Sequence, residues 1–196
     1  MKKYTPLIIG GGIILVLILW YMGSYNGLVT AQESVNGAWS QVQNQYQRRV
    51  DLIPNLVETV KGYAKQESSV LTEVTELRSR VGSMNVSKEI LDNPEEFSKF
   101  QQTQNQLGGA LSRLLVVSEN YPDLKSNENY RTLQSQLEGT ENRIAVERKR
   151  FNETVQAYNT KIKRIPTSIV ASLGGFKEKA YFQAQQGAET TPKVKF

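Results

Sequence analysis

The run Leu7–Met22, LIIGGGIILVLILWYM, has no charged and no strongly polar side chain. With Tyr4–Pro6 before it and Gly23 after it, the usable span is 20 residues. As a helix that span reaches about 30 Å, the thickness of a bilayer's hydrocarbon core. Lys2 and Lys3 flank one end and Trp20 and Tyr21 the other, the basic and aromatic anchors that fix a spanning helix at its depth. The run is longer than the apolar part of a secretory signal, and no clear small-x-small site follows directly, Val29-Thr30-Ala31 being a weak candidate. A retained single span is therefore the expectation. Gly10-Gly11-Gly12 leave a smooth patch for a second helix, or merely loosen this one.

The polar remainder has the size of one domain. It contains no His and no Cys, which removes the commonest general base, the thiol nucleophile and the usual zinc ligands. Acidic residues recur beside Lys and Arg at helical surface spacing, as in Glu73, Glu76 and Arg80, the pattern of exposed-face ion pairs. Neither a nucleophile elbow nor a phosphate-cradling glycine loop occurs. The reading is a protein without enzymatic activity and without cofactor or metal. The net charge of +5 is distributed as an acidic middle segment between basic ones, unlike a nucleic-acid protein that gathers its charge on one face.

Past the span, apolar residues recur every 3.5 positions. Leu28, Gln32, Val35, Trp39, Val42, Tyr46, Arg49 and Ile53 form one stripe, interrupted by Gln32 and Arg49. Pro54 predicts a helix end near Asp51 and a second helix from Pro54 to about Val81, with Asp51 or Asn55 serving its free N–H groups. Leu56, Val60, Ala64, Glu67, Leu71, Val74, Leu77 and Val81 make its stripe, and Ser83–Asn93 reads as a polar loop. Asp92-Asn93-Pro94-Glu95-Glu96 is a strong helix start, a cap, a proline and an acidic first turn, for a third helix to about Asn120, with Phe97, Phe100, Gln104, Leu107, Leu111, Leu114 and Ser118 buried. Gly108-Gly109 marks close packing or a bend. After the turn Tyr121-Pro122-Asp123, Asn127 caps a fourth helix whose stripe runs from Tyr130 to Ile165. Thr167–Leu173 reads as a short helix before Gly174-Gly175. No alternation of period two is long enough for a sheet.

The predicted fold is all-α: an N-terminal transmembrane helix continuing into an elongated antiparallel four-helix bundle. The expected parts are a basic tip (1–6), the span (7–22), the bundle (23–182) and a flexible tail (183–196), whose apolar tip Val194–Phe196 is free to dock back.

Paired Arg48 and Arg49, with Asp51, Pro54 and Asn55, read first as compensation of a helix C-terminus beside a rigid turn, and alternatively as a contact loop at the far end of the body. Asn142, Asn152 and Asn159 read as buried amides that fix helix register. Lys161, Lys163 and Arg164 form a basic end to the fourth helix, a solvated face or a site facing anionic lipid.

Tyr25-Asn26, Arg48-Arg49-x-Asp51-Leu52-Ile53-Pro54-Asn55-Leu56-Val57, Val60-Lys61-Gly62-Tyr63-Ala64, Tyr121-Pro122-Asp123-Leu124-Lys125-x-Asn127 and Thr140-Glu141-Asn142-x-Ile144-Ala145 resemble the LemA family of bacterial membrane proteins. The likeness covers nearly all of residues 20–182. It implies a single N-terminal span, a long antiparallel helical bundle and no established enzymatic activity. Gln66 departs from the pattern, standing where many members carry His.

Lys2 and Lys3 precede the span and Arg48 is the first basic residue after it. The positive-inside rule then puts the N-terminus in the cytoplasm and the bundle in the periplasm or outside, while the resemblance is compatible with either orientation. The functional expectation is an envelope scaffold or interaction module whose partners are membrane lipid, a second copy of the chain, or unidentified envelope proteins. The alternative is a module that senses or shapes anionic membranes.

Overall fold

The computed structural model describes residues 5–64, 66–84 and 86–183. Its elements are α1 (Thr5–Tyr63), α2 (Ser68–Gly82), a 3₁₀ turn (Lys88–Asp92), α3 (Pro94–Ser118), α4 (Pro122–Ser126), α5 (Glu128–Lys163) and α6 (Thr167–Leu173). No strand occurs among the described residues. The fold is all-α, as the periodicity requires.

α1 is a single helix of 59 residues, about 88 Å long. Its large apolar side chains from Ile9 to Met22 are exposed along the whole run, and the helix is long and apolar enough to cross a membrane. From Leu28 onward it becomes the spine of the body. α5 descends against it: Asn127 at the start of α5 donates to Tyr63 Oη (3.0 Å), and Lys161 at its end donates to the Gly27 carbonyl (2.6 Å). α2 and α3 pair with each other beside the distal half of α1.

The expected break at Asp51 does not occur. α1 passes through Pro54 and ends at Tyr63. A proline inside a helix removes the hydrogen bond to the carbonyl four residues back, here that of Val50. Arg78 of α2 supplies the missing donor, its Nε lying 3.2 Å from Val50 O. The chain turns instead between Ala64 and Ser68. The buried stripe Leu56, Val60, Ala64, Leu71, Val74, Leu77 and Val81 runs across that turn unchanged, because α2 folds back on the same core.

Two other expectations change. The segment 83–93 is not wholly a polar loop: its 3₁₀ turn buries Ile90 and Leu91. Residues 176–183 form an extended strap packed on the body, which Gly175 enters with φ +72°. The helix starts hold: Asn93 Oδ1 accepts from the Glu95 and Glu96 amides, and Asn127 Oδ1 from the Tyr130 amide. The tail's apolar tip, Val194–Phe196, lies outside the described residues.

The interior divides into two apolar clusters. The membrane-proximal one is aromatic: Trp39 lies 5.5–5.8 Å, centroid to centroid, from Phe97, Phe100 and Phe151, and Phe182 of the strap closes on Phe97 at 4.9 Å. Such pairs add about 0.5–1.5 kcal/mol each beyond the area they bury. The distal cluster is aliphatic, built from residues such as Ile53, Leu56, Leu107, Leu111 and Leu137.

Candidate functional site

A polar layer separates the two clusters. On α1, Tyr46 belongs to the aromatic cluster and Val50 to the aliphatic one; on α3 the change falls between Phe100 and Leu107, and on α5 between Ile144 and Leu137. Arg49, Gln104 and Thr140 occupy the positions between, each at 2% exposure or less. The guanidinium of Arg49 is fully enclosed. Its Nη1 faces both carboxylate oxygens of Glu141 at 3.2 and 3.3 Å. Its Nη2 donates to the Gln104 carbonyl at 3.3 Å and, at closer range, to the Gln104 side-chain oxygen. The Tyr46 ring lies 5.0 Å below it. Gly108 of α3 borders the guanidinium; a Cβ there would sit 3.6 Å from Arg49 Nη1, an ordinary van der Waals contact.

Above this layer α3 and α5 part to leave a cleft of about 670 Å³ with α1 as its floor. Arg49, Tyr46 and Gln104 lie at its base, and Asn105, Glu138, Asn142 and Arg148 at its walls. Two buried polar atoms here, Arg49 Nε and Tyr46 Oη, have no hydrogen-bond partner among the described residues. Burial pushes the Tyr46 hydroxyl pKa up; the guanidinium groups of Arg148 and Arg49 pull it down, and the Glu141 carboxylate pushes it up again, with a net rise. The hydroxyl is thus held as a donor at neutral pH. The cleft offers hydrogen-bond donors and acceptors at fixed positions. Its one hydroxyl of nucleophile type, on Ser112, already donates to the Gly108 carbonyl at 3.0 Å.

The other expected site residues fall elsewhere. Arg49 is interior to α1, so it compensates no helix end. Arg48 and Asn55 are exposed, Pro54 lies nine residues before the helix terminus, and Asp51 accepts from Gln47 at 2.8 Å and not from an arginine. Tyr121 and Asn127 gather at the distal tip: Tyr121 Oη donates to Glu67 at 3.2 Å, and Asn127 reaches Tyr63. Pro122 and Asp123 open α4 there, both exposed.

Asn152 and Asn159 do not reach a neighbouring helix. Each holds the strap by a two-bond amide pair. Asn159 donates to Lys179 O and accepts from Lys179 N, both at 2.9 Å; Asn152 does the same with Phe182 at 2.8 and 2.9 Å. Gln101 repeats the motif with Gln183 at 2.7 and 3.1 Å. Asn142 is exposed at the cleft wall. In the basic group, Lys161 is engaged by Gly27 and Lys163 by Glu178 at 2.8 Å, and Arg164 is exposed.

The sequence reading missed Gln104, Glu141 and Arg148 as companions of Arg49. A signal was present. Polar residues stand at stripe positions on three different helices, Arg49 on α1, Gln104 on α3 and Thr140 on α5, and polar residues at seam positions of separate helices point to a shared layer.

The family model described as the LemA family matches residues 38–196. Among curated relatives, Magnetosome protein MamQ 2 of Paramagnetospirillum magneticum is 27% identical over 92% of this chain and 74% of its own length. Magnetosome protein MamQ of Magnetospirillum gryphiswaldense is 27% identical over 87% of this chain and 70% of its own. Protein LemA of Metamycoplasma hominis is 26% identical over 85% and 72%. The apolar run of α1, long and apolar enough to cross a membrane, supports a membrane location for the chain.

Proposed function

The chain belongs to the LemA family, and on that premise we propose that it is a membrane-anchored, non-enzymatic interaction module of the cell envelope that self-assembles or holds partner proteins. The observation that carries this reading is the continuity of α1. The residues that would cross the bilayer and those that floor the cleft belong to one unbroken helix, so the cleft stands at a fixed distance from the membrane. Arg49 to Gly23 is 26 positions, about 39 Å of helix. The names of the two magnetosome relatives refer to a cellular structure and not to a reaction, which supports a structural role over a catalytic one. Lys2 and Lys3 support a cytoplasmic N-terminus with the bundle on the other side.

The test is native mass spectrometry of the full chain in detergent, with a photo-crosslinking residue at Asn105 on the cleft wall. Oligomers, or one defined crosslinked product, are expected. A monomer that crosslinks no more at Asn105 than at exposed Arg143 sinks the proposal. Protease treatment of intact cells tests the orientation, which is reversed if the bundle survives until lysis.

A second reading, response to anionic lipid, is favoured by the Lys161–Gly27 contact. It sets the basic end of α5 about 6 Å beyond Gly23. Each basic residue near an anionic surface adds about 1 kcal/mol of attraction. The full chain in phosphatidylcholine vesicles should melt higher when phosphatidylglycerol is included, and salt should abolish the difference. Equal melting in both vesicles rejects this reading.

A further inference from the structure

We propose that the turn from α5 into α6 is a second membrane contact, an apolar foot formed by Ile165, Ile169 and Leu173 that enters the interfacial layer of the bilayer beside the α1 span. These side chains are 86%, 57% and 73% exposed, although they belong to the last residues of a stripe that is otherwise covered or lie next to the core. Ile169 and Leu173, four residues apart on α6, lie along one side of it, Ile165 stands in the turn just before it, and Val170 and Ala171 of α6 pack into the aromatic cluster with Leu28. Nothing among the described residues covers the exposed side.

The height of this side is set by three contacts with α1. Lys161 lies on Gly27, Ile162 shares a core with Leu28, and the Phe176 ring meets Tyr25 edge-on at 5.5 Å. α5 runs toward the membrane and ends at Lys163, so Ile165, just past that end, lies on the membrane side of Lys161. Lys161 is level with Gly27, about 6 Å of helix from Gly23, so Ile165 lies within about that distance of the end of the apolar run. The headgroup layer extends about 5–7 Å on each side of the hydrocarbon core, so the foot lies within it. Arg164 and Lys177 are exposed next to the apolar residues, the composition of a segment that lies in the interface. The inference rests on the anchoring of α1 and is independent of whether anionic lipid is preferred.

The chain has no cysteine, which makes the test direct. Ile165→Cys, Leu173→Cys and, as a control, Val116→Cys are made in the full chain, labelled with an environment-sensitive nitrobenzoxadiazole dye and reconstituted in phosphatidylcholine vesicles. Val116 is 68% exposed and lies near the distal end of α3. Nitroxide-labelled lipid should quench the dye at 165 and 173 at least about twofold more than at 116, with emission shifted to the blue. Quenching at 165 and 173 no greater than at 116, in vesicles that flotation shows to carry the protein, overturns the foot while leaving the α1 anchor standing. A second arm adds phosphatidylglycerol. Quenching in both vesicle types supports an apolar contact; quenching only with the anionic lipid assigns the contact to charge and overturns the proposal.

Discussion

Arg78 Nε donates to the Val50 carbonyl across 3.2 Å, taking the place of the backbone donor that Pro54 lacks. A proline inside a helix costs about 3 kcal/mol in isolation, chiefly through that lost bond and the clash around it. Here a second helix restores the bond, and the helix that bears the membrane span extends nine residues past the proline. The length and rigidity of the stalk therefore depend on a residue 28 positions away in sequence.

Arg78→Ala is expected to cost about 1 kcal/mol in the natural chain, where it leaves Val50 O unpaired. In a Pro54→Ala background the helix supplies its own donor, so the cost should fall by about 0.5 kcal/mol or more. Thermal melts of the four proteins in detergent give this coupling. Additive costs would show that Arg78 does not replace the missing donor.

Arg49→Ala removes the cation that Gln104 and Glu141 surround. Breaking a buried ion pair costs about 3–5 kcal/mol, and the partial exposure of Glu141 puts the expected loss at the lower end. Glu141→Gln keeps an acceptor and leaves the Gln104 bonds in place but strips the buried guanidinium of its counter-charge, so it should cost less than Arg49→Ala, about 2 kcal/mol. Denaturant melts check the order; equal losses would mean that the counter-charge, which is all that Glu141→Gln removes, accounts for the whole cost, and would overturn this ranking.

Asn152→Leu and Asn159→Leu have opposite expectations under two readings. Buried register amides would yield a higher melting temperature on replacement. The two-bond pairs to Phe182 and Lys179 predict a lower one, by about 1–3 kcal/mol of stability each, because the strap backbone loses its partners. Trypsin should then cut faster at Lys179, which is buried in the natural fold with its Nζ 2.5 Å from Asp92. A raised melting temperature with unchanged cleavage would restore the register role.

Burial, and secondarily the Asp92 carboxylate, push the Tyr158 hydroxyl up to about 12 from its ordinary 10.0. The native state then keeps this proton where the unfolded chain releases it. Stability is fully present below pH 10 and is lost as pH rises toward 12. Tyr158→Phe removes this titration, and because Tyr158 Oη has no partner among the described residues it should not lower stability at pH 8. Circular dichroism melts from pH 8 to 12 should show a shallower alkaline decline in the variant; parallel declines would reject the assignment.

The sequence by itself determined which residues face inward. The stripes through Trp39, Leu71, Leu111 and Phe151 are buried almost position for position, because a 3.5-residue period is a property of the local chain and survives any arrangement of its neighbours. It also fixed the caps at Asn93 and Asn127, whose partners lie within three residues. Only the tertiary structure decided that α1 continues through Pro54, that Arg49 meets Gln104 and Glu141 between two cores, and that Asn152 and Asn159 hold a strap. Each of those outcomes depends on a hydrogen-bond partner from 20 to 92 residues away, and such a partner is invisible until the helices have packed.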